Sequence, residues 1–161
     1  MNFRLANLKT YGGFIAAAIP VATGGYAVYS IYIQPIFRAD LSGRWCVEHK
    51  VESADHAPYV GMQLMFHFDL RQDNNEIKGT GRKVLVNGER PRPLEMSLLE
   101  IKSGYIRSDR VTLSFIERSD ANPNRTVNGT IDWQIKDKAT LQGKFDTSAG
   151  NAGGSSVARK C

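Results

Sequence analysis

No aspartate or glutamate precedes Asp40, although the chain of 161 residues holds 16 of them. Residues 1 to 38 carry only Arg4, Lys9 and Arg38 as charged side chains, and the remainder, with 18 bases against all 16 acids, is close to neutral. The formal net charge of +5 is therefore mostly N-terminal. A folded part with interspersed signs lacks the concentrated basic face that DNA or RNA binding needs, so nucleic acid is excluded as a partner. Cysteine is equally scarce, and two residues in a chain of this length do not make a disulfide scaffold. The three histidines, His49, His56 and His67, include no pair at metal-ligand spacing within one strand or helix, and no His-Cys-Cys set is expected. A nucleophile elbow and a Walker loop are both missing, since Gly79-Thr80-Gly81-Arg82-Lys83 lies inside a strand pattern with no helix after it. The chain is thus not expected to be an enzyme, and no cofactor or metal is implied.

What the N-terminus does contain is an uncharged run of 28 residues, Thr10 to Phe37. About 20 helical residues cross a bilayer core, so one transmembrane helix is expected. Lys9 and Arg38 bracket it, and Tyr11, Tyr29, Tyr32 and Phe37 suit the interfacial belts. Ala18 with Ala22, and Thr23 with Ala27, are small-residue pairs through which such helices self-associate. Two units follow: an anchor over residues 1–38 and a folded domain over 39–161, with the lipid bilayer as a partner and a single-pass inner-membrane location. The flanking charges nearly tie on orientation, and the cytosolic side is preferred for the domain.

Beyond Leu41 the hydrophobic period becomes two. In Met62 to Arg71, the side chains of Met62, Leu64, Phe66, Phe68 and Leu70 share one face, and Gln63, Met65, His67, Asp69 and Arg71 share the other. The same alternation puts Val111, Leu113 and Phe115, then Ile131, Trp133 and Ile135, then Leu141, Gly143 and Phe145 inside. Turn residues separate eight strands, at about 43–51, 60–71, 76–86, 93–106, 110–118, 125–135, 139–147 and 154–160. The fold class is all-β, an eight-stranded antiparallel up-and-down barrel behind one N-terminal transmembrane helix.

The segment Leu41-Ser42-Gly43-Arg44-Trp45 resembles the Gly-x-Trp opening of calycin barrels, the group of lipocalins, fatty-acid-binding proteins and avidins. That resemblance implies that a basic residue of the last strand, here Arg159, packs over Trp45 to close the floor. The layout of a membrane segment followed by a small barrel is similar to the transmembrane β-barrel effectors of bacterial cyclic-oligonucleotide antiphage systems (CBASS). It implies a barrel that senses a cyclic nucleotide and a membrane segment that assembles, so that homo-oligomers form through helix and barrel.

The residues offer a matching site. Ile77, Gly79, Gly81 and Lys83 share a face of the third strand, and His49 lies on the Trp45 face of the first. An interior Lys83 would meet a phosphate, His49 would reach the same space, and Phe66 or Trp133 would stack on a base. In the competing reading Gly79 and Gly81 mark a bulge and Lys83 is a surface charge. The leading expectation is a small anionic ligand, a cyclic di- or oligonucleotide, driving assembly in antiphage defence. The alternatives are a periplasmic tethered barrel with an accessory role, and a carrier of an apolar ligand whose cavity is lined by Leu64, Phe66, Met96 and Phe115. Cys46 alternates with inward Trp45, while Cys161 shares the parity assigned to Val157 and Arg159. That parity argues against a bridge, which would itself favour the periplasmic alternative.

Overall fold

A sheet built from eight such runs has two unpaired edges unless its first and last strands meet. In the computed structural model, which describes residues 40–161 as one compact unit, they do meet. The strands are β1 (Gly43–Ser53), β2 (Gln63–Asp73), β3 (Glu76–Val86), β4 (Ser97–Arg107), β5 (Arg110–Ser119), β6 (Thr126–Asp137), β7 (Thr140–Thr147) and β8 (Ala152–Lys160). Each pairs antiparallel with its neighbour, and β8 pairs back onto β1 from Trp45↔Lys160 to Ser53↔Gly153. The expected transmembrane helix at 10–37 and the boundary at residue 38 lie outside the described residues. Among the described residues no helix is long and apolar enough to cross a membrane.

The turns follow from local chemistry. Asn87 and Gly88, both at positive φ, close the two-residue turn after β3, with Val86 and Glu89 exchanging backbone hydrogen bonds of 2.9 and 3.0 Å. The fourth strand begins at Ser97 and not near 93. Pro91 and Pro93 cannot donate to a ladder, and residues 92 to 96 form a turn in which the Glu95 and Met96 amides donate to the Arg92 carbonyl.

The two ends of the barrel differ. Toward the end where β1 begins, the interior is filled by Trp45, Phe68, Leu113, Ile131, Trp133 and Leu141, none with any exposed surface. Leu41 plugs this floor, its carbonyl accepting a 2.7 Å hydrogen bond from the Trp45 indole. A Cβ on Gly81 would sit 2.6 Å from the Phe68 ring, so the missing side chain there gives space to Phe68 and creates no cavity.

The last strand departs from expectation by one residue. Its inward positions are Ala152, Ser156 and Ala158, because the large rings of Trp133 and Phe145 leave room only for small side chains opposite them. Trp133 also donates its indole N–H to Ser156 Oγ at 2.7 Å. The cation over Trp45 is accordingly Lys160, with Nζ 5.6 Å from the ring, while Arg159 is exposed on the outer wall opposite Cys46. With the parity inverted, Cys161 shares the outer side with Cys46, and the two form a disulfide with Cα atoms 5.3 Å apart.

Candidate functional site

Strand alternation and loop length build the other end. There β1 contributes His49 and Val51, β2 Leu64 and Phe66, β3 Lys83, β4 Ser97, β5 Phe115 and Glu117, and β7 Phe145. These side chains surround a cavity of about 390 Å³ at the barrel mouth, within the range of small-molecule sites. The loop between β1 and β2, with a short 3-10 turn at Ala57–Tyr59, contributes Tyr59 and Met62 to the lining and is tied to the loop between β7 and β8. Asp55 N donates to Gly150 O at 2.7 Å, and the Asn151 amide donates to Asp55 Oδ2 at 2.5 Å.

The wall of the cavity is largely apolar, and Leu64, Phe66, Met96 and Phe115 all line it. Three of its polar groups, Lys83, Ser97 and Glu117, form a cluster. Lys83 Nζ lies 2.7 Å from Glu117 Oε1, and Ser97 Oγ donates to the same oxygen at 2.5 Å. Both charged side chains are mostly buried, 14% and 16% exposed, so the pair is shielded from screening by solvent. Lys83 also approaches the face of Phe66, 5.6 Å from its centroid. His49 is stacked on Phe145 at 4.3 Å and tilted against Phe66 at 5.3 Å. Burial, with Lys83 nearby as a smaller cause, pushes its pKa down to about 3, so the ring is neutral at ordinary pH. Its Nε2 is buried without a hydrogen-bond partner. Such an orphan costs about 1–3 kcal/mol and is rare in folded proteins.

Of the residues singled out from sequence, His49, Phe66 and Lys83 come together in this cavity. Trp133 does not, because it sits in the filled half and its indole is satisfied by Ser156. Among the lining residues that sequence reasoning does not reach are Glu117, Phe145 and Ser97. Glu117 continues the inward parity of Val111, Leu113 and Phe115, and an acid on that face was the available signal for a partner to Lys83. Phe145 was read as core, and Ser97 was obscured by the early start given to β4. The expectation of no His-Cys-Cys set is corrected by the fold, which brings Cys46, His67 and Cys161, from three different segments, together with ligand atoms within 4.8 Å of one another.

The chain matches no family model and no curated protein. Among solved structures it is similar to two redesigned β-barrels. One, b11L5F_LGL, has a TM-score of 0.53 at 12% identity, covering 75% of this chain and 91% of that one. The other, mFAP1 bound to DFHBI, has a TM-score of 0.52 at 11% identity, covering 75% and 94%. At such identities the likeness establishes the closed eight-stranded barrel and not membership of the calycins or of the CBASS effectors.

Proposed function

We propose that the barrel binds a small, largely apolar ligand bearing one polar or singly charged head, which enters through the mouth and meets Lys83, Glu117 and His49. The observation that carries this reading is a largely apolar cavity of about 390 Å³ in which the buried cation, Lys83, is already paired with Glu117. A neutral imidazole held between Phe66 and Phe145 adds no charge to the cavity wall. A barrel of similar fold was solved bound to DFHBI, which supports the fold as a ligand holder.

Charge favours this ligand over a cyclic dinucleotide. Two phosphates need at least two available cations, whereas of the two bases lining the cavity, Lys83 and Arg125, the first is already paired with Glu117. The bridge between Cys46 and Cys161 supports an oxidising compartment, in which a ligand made in the cytosol would not reach the barrel. A membrane anchor at 10–37 suits the reading, since apolar ligands concentrate in bilayers. The test is thermal unfolding of the full chain with a medium-chain fatty acid, a neutral aromatic alcohol and cyclic dinucleotides. One of the first two is expected to stabilise the barrel, by about 2.7 kcal/mol at a hundredfold excess over Kd, and Ser97→Phe, which fills the cavity, is expected to abolish the effect. Stabilisation by the cyclic dinucleotides alone would refute the proposal.

A further inference from the structure

Cys46, His67 and Cys161 lie on the outer wall, away from the cavity, and owe their meeting to register alone. Cys46 is directly opposite His67 in the β1/β2 ladder, and Cys161 follows the last residue of β8, its amide donating to the Arg44 carbonyl at 3.2 Å. We propose that, when the Cys46–Cys161 bridge is reduced, the two thiolates and a ring nitrogen of His67 form a site for a thiophilic divalent cation such as Zn²⁺.

The donor set is a common one for zinc, with three protein ligands and an open fourth position for water. Tetrahedral coordination at about 2.3 Å to sulfur and about 2.0 Å to nitrogen sets ligand atoms roughly 3.5–3.8 Å apart. Here the three ligand atoms already lie within 4.8 Å of one another, so small movements suffice. Those movements are available, because Cys161 is exposed and lies outside the strand ladder, whereas Cys46 and His67 are half-buried and held by their strands. Arg159, the register partner of Cys46 on β8, is a cation on the same outer face.

The chemistry balances in two steps. A dithiol reductant gives two electrons and two protons to the bridge, breaking the S–S bond to leave two thiols and becoming a disulfide itself. Zn²⁺ then displaces one proton from each thiol and accepts a lone pair from neutral His67, giving a neutral Cys₂His centre beside Arg159. Bridge and metal exclude each other, so oxidation releases the ion and the site reads redox state.

The test uses the full 161-residue chain, reduced with a non-chelating phosphine and titrated with Co²⁺, then Zn²⁺. One equivalent of cobalt is expected to bind with a thiolate charge-transfer band, to be displaced by zinc, and to leave the native β-sheet circular dichroism unchanged. The oxidised chain is expected to bind none. His67→Asn and Cys161→Ser, both outside the barrel core, are each expected to weaken binding at least tenfold while keeping the fold. No stoichiometric band in the reduced chain, binding unaffected by His67→Asn, or a chain that unfolds on reduction would each overturn the proposal.

Discussion

Trp133→Ala is expected to destabilise the barrel by about 3–5 kcal/mol, a large part of the 5–15 kcal/mol that holds a domain of this size. The indole has no exposed surface, lies 6.2 Å from the Phe68 ring, and fills the closed half beside Ile131 and Leu141. Its loss leaves a cavity that paired strands cannot collapse into, and strands Ser156 Oγ without its donor. Trp133→Phe separates the two contributions, since it keeps a ring and removes only the N–H. Urea unfolding of the two variants checks both. Because Trp133 is not part of the mouth, Trp133→Phe is also expected to leave ligand affinity within twofold of the parent, and a larger change would mean that the two halves of the interior are not independent.

Acid is expected to expose His49 in a comparably large effect. Its native pKa lies near 3, below the ordinary 6.5, so below pH 6.5 the unfolded chain takes up a proton that the folded chain refuses. The contribution of this group is fully present above pH 6.5 and is lost as pH falls toward 3, at about 1.4 kcal/mol per unit. At pH 4 the loss is roughly 3 kcal/mol. The stability difference between the parent and His49→Phe, measured by urea unfolding at pH 7 and pH 4, is expected to shift by that amount in favour of the variant. An unchanged difference would show that His49 is protonated or solvated in the folded barrel.

Strand alternation carried most of the fold. In β2 every side chain from Gln63 to Leu70 fell on its expected face, because one wet face and one buried face leave no ambiguity about register. In β8 the same method failed by one residue. Its one large apolar side chain, Val157, faces out, and what decides the parity is the bulk of Trp133 and Phe145 on β6 and β7, which no local pattern records. That single inversion moved the cation over Trp45 from Arg159 to Lys160 and turned an unfavourable cysteine pair into a bridge. The site was legible to a similar degree. Inward parity placed His49, Phe66 and Lys83 together, but the charge state of the cavity depends on Glu117, which only the closed barrel brings beside Lys83. A lysine read alone suggested phosphate; a lysine already paired points to a ligand of low charge.

The central claim, that the mouth is hollow and accepts a ligand while the floor is filled, is tested most directly by methyl NMR of the four methionines. Met62 and Met96 line the cavity, whereas Met65 is on the outer face of β2. In a titration with 1-anilinonaphthalene-8-sulfonate, an apolar aromatic probe with one negative charge, the Met62 and Met96 methyl signals are expected to shift together and saturate at one equivalent, with Met65 unmoved. Shifts confined to Met65, or none at Met62 and Met96, would contradict the account.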